Sequence, residues 1–299
     1  MKATGLVYLQ TAMADDAPLI RNISDTALWA AVYRAEETKR RGGLFSDPFA
    51  AKLAGTRGRQ IYDSMPPRNQ QPWAWVARTY LFDHFINDSL RAGIERVVNL
   101  AAGLDARPYR MQLPNTLQWI EVDLPEILAY KTDILANDRP ACALERFAVD
   151  LSIADERRAL FAKINARPAR TLVITEGLLL YLDRDNVASF AEDLAAQSSF
   201  ERWIIDLASP GLLKMLQKSL GSQLSAANAP PKFGPAEGPA FFEGHGWHPT
   251  DVRSMLKTAA GLYPLSLMMR FFSLFPESTG VQGNRPWSGV ALLEKNAGR

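Results

Sequence analysis

The chain has 299 residues, 47% of them hydrophobic and 22% charged, with a formal net charge of +2. That length and composition suit one large globular domain or two small ones, and disorder is not the default reading. So small a net charge leaves no electrostatic footprint for nucleic acid or for an anionic membrane.

In chain order, the apolar stretch at residues 5–9 is too short and too interrupted by polar residues for the core of a signal peptide. Residues 19–54 read as helical: Ile23, Ala27, Ala30, Ala31 and Arg34 follow helix spacing, and Ser46-Asp47-Pro48 sets a capping residue before a helix-starting proline. Lys39-Arg40-Arg41, the densest basic spot, stands beside a Gly-Gly turn and reads as a solvated loop. A second helix, 75–92, sets Phe82, Phe85, Ile86 and Leu90 on one face and ends at Gly93, a C-cap. From residue 95 the pattern changes. Short apolar runs at 96–101, 117–122, 147–149, 171–175 and 203–207 alternate with helical segments at 125–137, 154–165 and 185–197, which predicts βαβ units and a parallel sheet. Asp183 is the expected N-cap of the last of these helices, with Val187, Phe190 and Leu194 on its buried face. Cys142, the single cysteine, excludes an intramolecular disulfide and any multi-thiolate metal site, and it fits a reducing cytoplasm. Residues 221–249 break the rhythm with Gly, Pro, Ala and aromatic residues, and exceed an ordinary connection in length. A helix at 251–260 and two strands at 265–272 and 289–294 complete the reading. The longest apolar runs, 178–182 and 268–275, fall far short of the roughly 18 to 20 residues that cross a bilayer.

In an open parallel sheet, ligands bind beyond the carboxyl ends of the strands. Here those ends carry a row of acids and one glycine: Gly103 after the first strand, Asp123 after the second, Asp150 after the third and Glu176 after the fourth. Gly103 permits a tight turn and close backbone approach. Asp123 follows it by 20 residues, the spacing at which a carboxylate reaches the hydroxyls of a ribose lying over the turn. The turn Ala101-Ala102-Gly103-Leu104-Asp105-Ala106 lacks the Gly-x-Gly-x-x-Gly pattern, and Asp105 brings negative charge where a pyrophosphate needs donors, so a dinucleotide is disfavoured. A sulfonium nucleoside, which has no phosphate and carries positive charge, fits the acidic strand ends better. Asp123 and Asp150 could also serve as plain helix N-caps. Glu176 interrupts the apolar stretch 172–182 and would be costly there without a partner.

Four segments carry a specific resemblance: Arg78-Thr79-Tyr80-Leu81-Phe82-Asp83-His84, Val98-Asn99-Leu100-Ala101-Ala102-Gly103-Leu104-Asp105, Glu121-Val122-Asp123-Leu124-Pro125, and Thr175-Glu176-Gly177-Leu178-Leu179-Leu180-Tyr181-Leu182. In order and spacing they resemble the leucine carboxyl methyltransferase family and its bacterial S-adenosylmethionine-dependent relatives. The resemblance implies an α/β fold, a doubly wound, mostly parallel seven-stranded sheet of the Rossmann-like kind found in class I methyltransferases. It would form a single domain: a helical cap over 1–93, a cofactor-binding core over 94–210, an insertion over the acceptor site at 211–262, and C-terminal strands at 263–299. It implies S-adenosyl-L-methionine as cofactor, with Arg78 on its methionine carboxylate and Gly103 giving backbone access to the methionine part. Asp123 would take the ribose hydroxyls, Asp150 the adenine amino group, the Leu151 backbone the ring, and Glu176 would stand near the amino-acid end. Arg34 would add a second cation. The family's first glycine is an alanine here, tolerable if only Gly103 needs unusual dihedrals.

The expected activity is O-methylation of a carboxylate or hydroxyl on a small molecule in the cytoplasm, without metal, nucleic-acid or membrane partners; a protein acceptor has no positive support in the sequence. A carboxylate is ionised near neutral pH and needs no base, whereas an alcohol or phenol would need one. Tyr181 and His245 are the candidates for a catalytic group, each with a bland alternative in packing or loop position. His84 reads as a structural or surface residue. Phe233, Phe241, Phe242 and Trp247 suggest that the late insertion folds as a lid over an apolar acceptor, together with the N-terminal helices. The competing readings are a nicotinamide-dependent oxidoreductase and a catalytically silent nucleoside-binding relative.

Overall fold

The computed structural model describes residues 23–65, 72–226, 230–276 and 283–296. The apolar stretch at 5–9 and the start of the helix expected from residue 19 lie outside the described residues. Seven strands form one sheet: β1 (Arg96–Leu100), β2 (Gln118–Asp123), β3 (Ala143–Ala148), β4 (Thr171–Thr175), β5 (Phe200–Ala208), β6 (Trp247–Ser254) and β7 (Ser288–Lys295). Their order is β3-β2-β1-β4-β5-β7-β6. Strands β1 to β5 pair in parallel, and β7 runs antiparallel between β5 and β6, so β6 points the same way as β1 to β5. The helices in chain order are α1 (Ile23–Lys39), α2 (Ala50–Ser64), α3 (Pro72–Arg91), α4 (Arg107–Arg110), α5 (Pro125–Ile134), α6 (Ala154–Asn165), α7 (Arg184–Ala195), α8 (Pro210–Ala226), α9 (Met255–Leu262) and α10 (Leu267–Ser273).

The period of two decides what each face buries. Val97, Leu172, Ile174 and Ile204 face the layer of α3 and α9, where Phe82, Phe85, Met255 and Ala259 meet them. Val98, Val173, Trp203 and Ile205 face α6 and α7, with Phe161, Phe190 and Leu194. Because both faces are covered, the central strands read as near-continuous apolar runs. α1 and α2 pack on each other and, with Leu104, Ile127 and Leu135, form a separate cluster over one end of the sheet.

Two of the three helix-end signals hold; the third does not, because α2 starts at Ala50, past Pro48, with Phe49 at its N-cap position and no side-chain cap. Gly93 adopts φ +89° and its N–H bonds Leu90 O, and the Asp183 carboxylate accepts from Asn186 N at 3.0 Å. The C-terminal third departs from expectation. Residues 267–273 form α10 and not a strand: the run Leu267-Met268-Met269-Arg270-Phe271-Phe272 has no β-branched residue, and the Ser266 hydroxyl caps it by accepting from Met269 N. The strand lies earlier, at β6, inside the segment read as an irregular insertion followed by a helix from 251. Pro249 disguised it; a proline is tolerated there because β6 is an edge strand whose register shifts between Pro249 and Asp251. Nor do the aromatics of that region form a lid. Phe233, Phe241, Phe242 and Trp247 are core residues: Phe242 and Trp247 pack on Trp203, Phe233 and Phe241 pack on Phe242, and Trp247 Nε1 donates to Ala191 O at 2.9 Å. Burying such large side chains outweighs leaving them over a cleft.

Candidate active site

The chain steps from β1 outward to β2 and β3, then returns to place β4 on the other side of β1. Such a switch point opens a crevice beyond the carboxyl ends of β1 and β4. There β1 turns through Ala101-Ala102-Gly103, with Ala102 N bonded to Val122 O at 3.1 Å. Gly103 has φ +48°, and a Cβ on it would come within 3.3 Å of Ala27 Cβ on α1. Ala101 also has a left-handed φ, +56°, which corrects the expectation that Gly103 alone needs unusual dihedrals. Asp123 closes the turn from β2: its Oδ2 accepts from Gly103 N at 2.5 Å and its Oδ1 from Leu124 N at 2.8 Å. Burial pushes its pKa up, and the two backbone N–H groups oppose that shift.

Behind the turn runs a chain of buried charges. Arg107 of α4 donates to Asp83 at 2.6 Å, to Asp105 at 2.9 Å and to Glu176 at 2.8 Å. Asp83 also takes two bonds from Arg110, at 2.7 and 2.8 Å. Glu176 Oε1 lies 3.1 Å from Arg78 Nε, an ion pair without hydrogen-bond alignment, and Arg78 Nη1 donates to Asp206 of β5 at 3.2 Å. Arg34 of α1 binds Asp47 at 2.9 Å and the Leu104 carbonyl at 2.7 Å. Glu176 thus has the partners its buried position demands. Despite their burial, Asp83 and Asp105 are held below the ordinary carboxylate range by Arg107 and Arg110. Four guanidinium groups (34, 78, 107, 110) meet five carboxylates (47, 83, 105, 176, 206), so the network has one negative charge in excess before Asp123 is counted.

These residues surround an open cleft of about 140 Å³. Of the site residues expected from sequence, Arg78, Gly103, Asp123, Glu176 and Tyr181 line it, and so does Arg34. Thr26, Ala27 and Ala30 of α1 and Trp75 of α3 line it as well. Tyr181 ends the short 3-10 helix Leu179–Tyr181; burial raises its pKa, while nearby Arg78 and a hydrogen bond with Thr26 work the other way.

Asp150 and Leu151 fall outside the lining. Asp150 Oδ1 accepts from Ser152 N and Oγ just past β3, and Leu151 packs into the core. His245 is at the other end of the sheet. Trp247 pairs with Lys295, and the adjacent Glu294 pairs with Arg202 near the start of β5, so His245, two residues earlier, is remote from the carboxyl ends. It pairs with Glu192 at 2.9 Å, near the last turn of α7. His84 lies 3.2 Å from Asp88 on the outside of α3. The Cys142 thiol is buried and pushed up to about 11, which keeps it an unreactive thiol.

Sequence reasoning missed three residues here. Asp206 was hidden because β5 was read as ending at residue 207 with no acid singled out, although an Asp within Ile204-Ile205-Asp206-Leu207 is the same signal that drew attention to Glu176. Arg107 was not singled out: it stands just past the turn at 101–106, at the start of the short α4, where no pattern marks it. Trp75 stacks on Tyr33 at 5.1 Å and lies under the Arg78 guanidinium at 4.8 Å, a contact that pattern alone does not announce.

A sulfonium nucleoside meets three features of this cleft: a buried carboxylate set against a glycine turn, glycines at 103 and 177 where a Cβ would crowd Ala27 and Arg78, and an excess of negative charge. At the turn the Gly103 N–H is already bound to Asp123 and is not offered to a pyrophosphate. Comparison with known proteins agrees. The profile of the leucine carboxyl methyltransferase family matches residues 27–195. A Frankia alni protein bearing the provisional name S-adenosyl-L-methionine-dependent methyltransferase is 32% identical over 233 residues, covering 74% of this chain and 81% of that one. A Streptomyces avermitilis protein of the same provisional name is 30% identical over 247 residues, covering 79% and 86%. Among solved structures, a DUF574 family protein from Streptomyces avermitilis superposes with a TM-score of 0.57 at 12% identity, over 90% of this chain and 97% of that one. A provisionally named methyltransferase from Thermobifida fusca gives 0.55 at 16% identity, over 93% and 96%. At those identities the superpositions speak for the fold. Neither the oxidoreductase nor the silent-relative reading finds support. The chain belongs to the leucine carboxyl methyltransferase family, a group of S-adenosyl-L-methionine-dependent methyltransferases.

Proposed function

We propose that this protein transfers the methyl group of S-adenosyl-L-methionine to a carboxylate oxygen of a small, partly apolar acceptor. One observation carries the choice of a carboxylate over a hydroxyl: among the described residues lining the cleft there is no histidine, its carboxylates are engaged by guanidinium or backbone donors, and burial keeps the Tyr181 phenol protonated near neutral pH. No lining group stands ready to take a proton, and an ionised carboxylate has none to lose.

The cofactor supplies a methyl group already activated on a sulfonium, so the protein's task is alignment and exclusion of water. Asp123 holds the ribose hydroxyls with the lone pairs not used by Gly103 and Leu124. The turn at Gly103 admits the methionine part, and Arg78 and Glu176 bind its amino-acid end. Asp150 and the Leu151 backbone receive the adenine; their support is that Val149, the residue before, is bonded to Asp123 O at 3.0 Å, which keeps them next to the ribose carboxylate. Tyr181 donates its O–H toward the acceptor carboxylate and orients it, and Ala27, Ala30, Trp75 and Leu178 give the acceptor an apolar wall.

The test is to incubate the protein with methyl-labelled S-adenosylmethionine and a panel of aromatic and aliphatic carboxylic acids beside matched phenols and alcohols, then treat the products with mild alkali. A methyl ester releases labelled methanol, which is the expected result. An alkali-stable methyl ether would overturn the carboxylate reading, as would labelling of the phenols and alcohols alone.

A further inference from the structure

Asp206 does not line the cleft, yet it ties together two elements that do. Its Oδ1 accepts from Gly177 N at 2.8 Å, and its Oδ2 accepts from Arg78 Nη1 at 3.2 Å. Arg78 comes from α3, Gly177 from the turn after β4 and Asp206 from β5, so one carboxylate fixes a guanidinium and a turn that belong to different parts of the chain. The packing leaves little latitude. Gly177 has φ +69°, and a Cβ on it would come within 3.2 Å of Arg78 Nη1. Glu176 holds the Nε side of the same guanidinium, and Trp75 lies across its face.

Glu176 is shared between Arg78 and Arg107, and the five carboxylates of the network outnumber its four guanidinium groups by one, which ill suits a ligand that is simply anionic. A zwitterion fits, because its carboxylate meets Arg78 and its ammonium meets Glu176 at the cleft wall, with Asp206 holding Arg78 and the Gly177 turn from behind. We propose that Asp206 is a positioning residue which, with Glu176, presents Arg78 and the Gly177 turn as a receptor for the zwitterionic α-amino-acid end of the cofactor. The inference rests on reading the cleft as the S-adenosylmethionine site. Burial raises the Asp206 pKa, while Arg78 and the Gly177 N–H oppose the rise, which suits a carboxylate whose charge is kept by those two contacts.

Two ligands separate this role from a merely structural one. S-Adenosylhomocysteine carries the amino acid, and 5′-methylthioadenosine shares its adenosine and thioether but lacks it. Calorimetric titration of wild type and Asp206→Asn with each should weaken S-adenosylhomocysteine by about ten- to a hundredfold, as expected for a lost charge-assisted contact, and leave methylthioadenosine within about twofold. Equal loss of both ligands, or loss of neither, would overturn the proposal while leaving the site reading intact. Binding of neither ligand by the wild type would overturn the site reading itself and the proposal with it.

Should Asp206→Asn not fold, the wild type alone gives a second readout. The charged and titratable groups facing Asp206 are Arg78 from α3, and Glu176 and Tyr181 from the segment after β4. Neither Arg78 nor the Tyr181 phenol changes charge between pH 7 and 4. Asp123 faces the ribose common to both ligands, so it cancels in their ratio. The preference for S-adenosylhomocysteine over methylthioadenosine should therefore fall as Asp206 takes up a proton on acidification, and a ratio constant from pH 7 to 4 would contradict the role given to it.

Discussion

Ala101 carries a left-handed backbone that a side chain rarely adopts, at the turn where β1 enters the site. The residue is half-buried against the core formed by Val98, Leu100 and their neighbours, so its methyl group has packing to offer in return. A left-handed conformation costs a non-glycine residue about 1–2 kcal/mol, and glycine's greater freedom in the unfolded chain returns about 0.5–1 kcal/mol of that. Ala101→Gly should accordingly raise stability by about 0.5–1 kcal/mol, read as a higher urea midpoint with an unchanged slope. Affinity for S-adenosylhomocysteine should not change, because the backbone already has the conformation that glycine prefers. A destabilised variant would mean that the Ala101 methyl packs for more than its strain costs.

At the scale of elements, what was legible depended on whether a segment's own residues settle its state. Strands β1, β2, β4 and β5, the helices α5, α6 and α7 and the caps at Gly93 and Asp183 were readable because alternation, periodicity and punctuation agree there, whereas β3 was placed at 147–149 though it runs from Ala143 to Ala148, and the short α4 was not foreseen. The acidic strand ends were readable for the same reason: a charge at the end of an apolar run has few explanations. β6 and α10 were exchanged because tertiary context decides both. An edge strand with a proline lacks the alternation of a central one, and an apolar run can be a buried strand or a helix left on the surface. α10 is the latter: Leu267, Met268, Phe271, Phe272, Leu274 and Phe275 are all exposed, from 46% to 86%. Replacing Phe271 and Phe272 together by serine should leave stability within about 0.5 kcal/mol of wild type, whereas Phe82→Ala, in the core under β1, should cost about 3–5 kcal/mol. Chemical denaturation of the two variants checks this. A loss of several kcal/mol from the α10 pair would show that its apolar face is covered in the folded protein.

For the molecule as a whole, the buried charges make stability depend on pH in two opposed ways. Burial raises Asp123 and Asp206 above their ordinary values, so the folded state holds their protons more tightly than the unfolded state does. When ionised they cost stability, and acidification through their raised values relieves that cost. Asp83 and Asp105 are depressed by Arg107 and Arg110, so their contribution is fully present above the unfolded value of about 3.9 and is lost as pH falls through their folded values. The melting temperature should therefore stay level or rise slightly from pH 7 toward about 4 and drop steeply below it. The steep limb belongs to a specific residue. Asp83 binds Arg107 through one contact and Arg110 through two, so Asp83→Asn should remove part of the acid sensitivity while lowering stability at pH 7 by about 3–5 kcal/mol, because it leaves two buried guanidinium groups short of a counter-charge. Calorimetric melting of wild type and variant between pH 3 and 7 tests both parts. If the two curves ran parallel throughout, acid stability would be set by charges elsewhere, and the network beneath the cleft would be neutral ballast; if they converge below pH 4, the groups that shape the site are also the ones that hold its floor together.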